Sequence, residues 1–117
     1  MELSLDTINA SLDEGIFTAK LHRGKVNAIN IEMVSELLTV IDYVGSQEKI
    51  DALVLTGHPG IFTAGLDLKS LLLMDRDGIE NFWRSFHQLI LDLVNLDKPV
   101  VTAISGHSPA GGCVLAI

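Results

Sequence analysis

The sequence predicts an α/β fold, and three observations lead there. Apolar runs of strand character alternate with segments of helical periodicity in the order strand, strand, helix, strand, helix, strand, helix. Two of these runs, Ala52–Thr56 and Val100–Ile104, each deliver a glycine-containing loop into a helix, where α/β proteins place ligand sites. The stretch from Pro99 to Ile117 holds no Asp, Glu, Lys or Arg and reads as a buried strand, a Gly-Gly turn and the start of a helix.

The elements follow in order. Leu3 to Ile8 and Ile16 to His22 alternate as strands, with Asp13-Glu14-Gly15 as the hairpin turn. Asn30 can cap a helix in which Val34, Leu37, Leu38, Ile41 and Val44 recur at helical spacing, ended by Gly45. Ala52–Thr56 is a short apolar run between Asp51 and Gly57, as expected of a strand covered on both faces. Asp77-Gly78-Ile79-Glu80 has capping-box spacing ahead of a stripe of Ile79, Phe82, Trp83, Phe86, Leu89, Ile90 and Leu93, and Pro99 terminates that helix. The aromatic stripe reads as core or subunit interface rather than a cofactor box. Val100–Ile104 is then a second buried strand.

Composition bounds the function. At 117 residues and 48% hydrophobic content, the chain fits one domain with a core. The apolar end at Cys113–Ile117 begins a helix and carries no stop signal, so residues 1–117 read as the N-terminal portion of a single domain whose C-terminal part is missing. A net charge of −7 argues against nucleic acid or an anionic membrane as the main partner. The single cysteine forms no internal disulfide, and the start MELSLDTINA lacks a secretory pattern, so a cytoplasmic or organelle-matrix setting is expected. Prolines and glycines interrupt the uncharged C-terminal run, which argues against a membrane span. His58 and His107 have no second ligand at metal-binding spacing, so no metal is expected, and Cys113 reads as a small packing residue.

FTAGLDLK (Phe62 to Lys69), KPVVTAISGHSPAGGCVLA (Lys98 to Ala116) and RGKVNAINIEM (Arg23 to Met33) resemble three segments of the crotonase, or enoyl-CoA hydratase/isomerase, superfamily, in its order and at its separations. The resemblance implies a crotonase-like spiral of ββα units, here truncated, assembled as homotrimers or hexamers. It implies an acyl-CoA thioester substrate and no cofactor beyond the coenzyme A that the substrate carries. It places two oxyanion donors on the backbone N–H groups of Leu66 and Gly111. Contacts to the CoA thioester fall on Lys25, Val26, Ala28, Ala64, Gly65, Asp67, Leu68, Lys69, Gly112 and Val114. Lys25 and Lys69 serve equally well as solvated residues or as phosphate contacts, and Asp67 reads chiefly as a helix cap. Two preorganised N–H groups aimed at a thioester oxygen stabilise charge that develops in the transition state, each worth roughly 2.7–4 kcal/mol.

Val114 is the departure from the hydratase pattern, which has glutamate there. Water addition uses paired carboxylates, whereas one carboxylate can move a proton between carbons two and four. The remaining family glutamate falls beyond Ile117. The sequence therefore resembles the Δ3,Δ2-enoyl-CoA isomerases most, with enoyl-CoA hydratase, or a non-catalytic CoA-binding or oligomerisation subunit, as alternatives. Chemistry argues against the rival reading of an α/β-hydrolase elbow at Gly106–Ala110, because the residue after Ser108 is Pro109, which has no N–H to donate.

Overall fold

Glu14 and Gly15 both take positive φ, 48° and 85°, the pairing a two-residue type I′ hairpin requires. A turn this tight leaves no slack, so the first strand runs directly into it. The computed structural model describes residues 5–103 and the backbone of Gly106 and His107. It contains β1 (Ile8–Asp13), β2 (Ile16–Leu21), α1 (Ile31–Ser46), β3 (Ala52–Thr56), β4 (Gly60–Ile61), α2 (Leu68–Leu72), α3 (Arg76–Asn95), β5 (Val100–Thr102) and β6 (Gly106–His107). Of the predicted Leu3–Ile8 strand, Leu3 and Ser4 lie outside the described residues, and the rest is corrected to a strand over Ile8–Asp13, in register from Ile8↔Leu21 to Asp13↔Ile16. Leu5, Asp6 and Thr7 lie in no strand. The Glu36 carboxylate holds this segment instead, accepting from the Asp6 and Thr7 N–H groups at 2.9 Å each.

The main sheet has the order β1-β2-β3-β5, antiparallel between β1 and β2 and parallel thereafter. One row of paired residues, Leu12, Phe17, Leu53 and Val100, crosses all its strands on one face. The buried core lies on that face: Phe17, Ala19, Leu21, Leu53 and Leu55 from the sheet, Met33, Val34, Leu37, Val40, Ile41 and Val44 from α1, and Phe82, Phe86 and Leu89 from α3. Each such Leu or Phe contributes about 1.5–3 kcal/mol by leaving water. The opposite face carries Ile16, Ala52, Val54 and Val101, none of which belongs to the buried core. The expectation that β3 and β5 are covered on both faces therefore fails among the described residues, and Val101 is 54% exposed on the edge strand. β3 has the predicted bounds. β5 ends at Thr102, and Ile104 lies outside the described residues.

The helix boundaries shift for identifiable reasons. Asn30 caps α1 as predicted, its Oδ1 accepting from the Met33 N–H at 2.9 Å. Gly45 does not end the helix, because it keeps a helical backbone and α1 runs on to Ser46. The end is set by Lys98, whose ammonium donates to the carbonyls of Val44 and Gln47 at 2.6 Å each. A cation there also meets the negative end of the helix dipole. In α3 the cap is Asp75, accepting from Gly78 N–H at 2.8 Å, rather than Asp77 in a capping box. Trp83 is 47% exposed, against Phe82 and Phe86.

Lys98→Met keeps the apolar stem but leaves those carbonyls without their charged donor. Urea denaturation should show a loss of about 1–2 kcal/mol with an unchanged m-value.

Candidate functional site

Because β3 and β5 are adjacent and parallel, the loops after their carboxyl ends leave the same edge of the sheet. These loops then pair with each other, β4 with β6, in the register Gly60↔Gly106 and Ile61↔His107. The predicted meeting of two strand-to-helix loops is therefore present in the backbone. Gly111, Gly112 and Val114 lie outside the described residues.

The segment after β2 joins this edge through Asn27. Its side chain is completely buried, and its amide donates to the carbonyls of Leu21 at 3.0 Å and Phe62 at 3.1 Å. Its Oδ1 accepts from the Arg23 N–H at 2.7 Å. Asn27 adopts φ 49°, a left-handed conformation that asparagine tolerates better than most residues. Its own carbonyl accepts from the hydroxyl of Thr63, which is also completely buried. Thr63 Oγ1 in turn accepts from the Gly65 N–H at 3.2 Å.

Beyond Asn27 the two segments run alongside each other. Ala64 N–H donates to Val26 O at 2.8 Å, Ile29 N–H to Gly65 O at 2.7 Å, and Asp67 N–H to Ile29 O at 2.8 Å. The bonds around Ile29 form an isolated parallel bridge to Leu66. The peptide between Gly65 and Leu66 is trans and planar, so with its carbonyl bonded to Ile29 its N–H points the opposite way. Among the described residues nothing accepts a hydrogen bond from the Leu66 N–H, whereas those of Gly65 and Asp67 are both engaged. Gly65 sits at φ 100°, which a side chain would make strained.

Asp67 closes the turn. It caps α2, accepting from Ser70 N–H at 3.2 Å and from the Ser70 hydroxyl at 2.8 Å, and it pairs with Arg23 at 2.9 Å. Arg23 also donates to Ala28 O at 2.9 Å, so one guanidinium ties both segments together. The Ser70 hydroxyl chiefly, then the Ser70 N–H and the Arg23 guanidinium, hold the Asp67 carboxyl below its ordinary range, against partial burial, which raises it. Lys25 and Lys69 are exposed, and Val26 and Leu68 are 47% and 66% exposed. His58 approaches Gly24 O at 3.2 Å and meets His22 edge to face at 5.1 Å.

The structure thus brings together Val26, Ala28, Ala64, Gly65, Leu66 and Asp67, with Lys25, Leu68 and Lys69 at the rim. Sequence reasoning missed Asn27, Thr63 and Arg23 as the residues that hold them. The available signal was small: an asparagine beside a glycine-containing turn, and a threonine next to a buried phenylalanine. Asp6, Glu32 and Glu36 form a carboxylate trio, but the Glu36 oxygen is already bound to the Asp6 and Thr7 N–H groups.

This arrangement is the crotonase fold. The chain superposes on the crystal structure of human mitochondrial Δ3-Δ2-enoyl-CoA isomerase with a TM-score of 0.89 at 28% identity, covering 95% of this chain and 44% of that one. The chain belongs to the enoyl-CoA hydratase/isomerase family, whose sequence model matches residues 11–117. It is 34% identical over 104 residues to mouse mitochondrial enoyl-CoA delta isomerase 1, covering 88% of this chain and 36% of that protein. It is 32% identical over 108 residues to mouse mitochondrial methylglutaconyl-CoA hydratase, covering 90% and 34%. The chain thus spans about a third of the length of these two relatives.

Asp67→Asn keeps a capping oxygen and removes the charge paired with Arg23. A carboxyl whose folded pKa is depressed stabilises the fold fully above its unfolded value, about 3.9, and that contribution is lost as pH falls through the folded value. The variant should be about 1 kcal/mol less stable at pH 7. The difference from wild type should shrink in urea titrations below about pH 4.

Proposed function

We propose that the protein catalyses 3,2-enoyl-CoA isomerisation through an enolate held in an oxyanion hole. The observation that carries this reading is the Leu66 N–H, left without an acceptor among the described residues in the loop after β3, where that loop bridges to Ile29. The Gly111 N–H is the proposed second donor, on the motif containing Gly111-Gly112. A base removes a proton from carbon two of a 3-enoyl thioester, and negative charge moves to the thioester oxygen. The two N–H groups stabilise that charge as it forms. Return of the proton to carbon four moves the double bond from carbons three and four to carbons two and three, with no net gain or loss of atoms.

One carboxylate suffices for this shuttle, and the family pattern assigns it to a position C-terminal to Ile117. The apolar Val114 disfavours the paired carboxylates of water addition. The isomerase relative supports the reading, as does the exposure of Lys25 and Lys69, which suits them to the phosphates of CoA. Val26, Ala28, Ala64, Gly65, Leu68, Gly112 and Val114 complete the proposed thioester site. No cofactor other than the substrate's own coenzyme A is required. A homotrimeric or hexameric assembly is proposed from the resemblance, and an organelle matrix is one compartment the mitochondrial relatives suggest.

Hydration is the competing reading, favoured by the hydratase relative. Incubation of the full-length protein with a 3-enoyl-CoA and with a 2-enoyl-CoA distinguishes the two. Isomerisation should dominate, and faster formation of 3-hydroxyacyl-CoA would overturn the proposal. In Val114→Glu, hydration should rise above background yet stay below isomerisation, because a carboxyl introduced among apolar groups is desolvated and becomes a poor base at neutral pH. Gly111→Pro deletes a donor N–H and should lower isomerisation roughly 100- to 1000-fold.

A further inference from the structure

We propose that Thr63 is a positioning residue whose buried hydroxyl aims the Leu66 N–H at the substrate oxygen. The inference rests on the acyl-CoA reading above and adds to it the residue that sets the donor's direction.

With no Cβ, a glycine populates positive and negative φ about equally, so a turn built on it has more than one available orientation. At Gly65 the observed φ is 100°, and the adjoining peptide carries the Leu66 N–H. Two bonds remove the freedom. On one side Ile29 N–H holds the Gly65 carbonyl at 2.7 Å. On the other, the Gly65 N–H is held by Thr63 Oγ1 at 3.2 Å.

A hydroxyl has one proton and two lone pairs. The proton of Thr63 goes to the Asn27 carbonyl, which turns a lone pair toward the Gly65 N–H. Thr63 is completely buried, so no water replaces the hydroxyl if it is removed. Without it, the Gly65 N–H lacks an acceptor and the Ala64–Gly65 peptide is freed to turn, so the Ile29 bond alone is left to hold the Gly65 carbonyl and, through the trans peptide, the direction of the Leu66 N–H. The Asp67 N–H, fixed on Ile29 O at 2.8 Å, keeps the far end of the turn in place, so the effect is local.

This role separates aim from packing. Thr63→Val preserves shape and deletes the hydroxyl, whereas Thr63→Ser preserves the hydroxyl and deletes a methyl group. A packing role ranks Val at or above Ser, and a positioning role ranks Ser well above Val. The test uses the full-length protein with CoASH and acetoacetyl-CoA, a 3-keto thioester whose enolate absorbs in the near ultraviolet, together with kcat and KM for a 3-enoyl-CoA. Thr63→Val should bind CoASH like wild type, keep KM, lose the enolate band and lose about 10- to 100-fold in kcat. Thr63→Ser should stay close to wild type in all of these. If Thr63→Val does not fold, Thr63→Cys replaces it, and its weaker sulfur acceptor should place kcat below that of Thr63→Ser. Wild-type kcat in folded Thr63→Val, or a Ser variant no better than Val or Cys, would overturn the positioning role alone. A wild-type protein that binds acetoacetyl-CoA no better than CoASH and does not isomerise would overturn the acyl-CoA reading, and the role of Thr63 with it.

Discussion

The buried amide of Asn27 joins segments that are 35 residues apart in sequence, and the candidate site depends on that join. A primary amide has two N–H donors and one carbonyl acceptor, and here all are used: Leu21 O and Phe62 O accept, and Arg23 N–H donates. Leaving any of these backbone groups unpaired in a dry interior costs about 1–3 kcal/mol. The alternatives to this packing are therefore expensive, and the loop after β3 has one place to sit. The left-handed backbone of Asn27 turns the chain so that its side chain faces inward while Val26 stays at the surface.

Given that anchor, the rest of the loop behaves as a short parallel ladder. Val26, Ile29, Ala64, Gly65 and Asp67 exchange backbone bonds in a pattern that faces one way, and the trans geometry of the peptides turns the Leu66 N–H the other way. The Arg23 guanidinium repeats the join from the surface by reaching Asp67 and Ala28 together. An exposed ion pair alone would contribute little, but this one is partly shielded and works beside buried bonds. The result is a segment pinned at both ends in which the Leu66 N–H has no acceptor among the described residues.

Much of the fold was legible. The apolar run of β3 and the Asn30 cap are local signals, and the stripe of α3 is carried by Phe82, Phe86 and Leu89 at regular spacing. What misled was equally physical. In β1 the core-facing residues include Ala10 and the half-buried Leu12, a weak contrast with Asn9 and Ser11, so Leu3–Ile8 read as the stronger strand. The end of α1 is fixed by Lys98, more than fifty residues from the carbonyls it caps, and no local pattern reports that. For the site, the motif residues were visible by resemblance, but Asn27, Thr63 and Arg23 act through contacts between distant segments. Their types fit many loops.

A donor made from backbone has a further consequence. The Leu66 N–H is present whatever side chain the residue carries, proline excepted, so substitution there leaves the donor in place provided the turn is held. The chain has similar identities, 34% and 32%, to a protein named an isomerase and to one named a hydratase. Stabilising an enolate does not select what happens to it next. That selection belongs to side chains that deliver protons or water. Asn27, Thr63, Arg23 and Asp67 fix the turn through contacts that involve no proton transfer, and on the proposed isomerase reading the choice of reaction falls to a different residue, Val114.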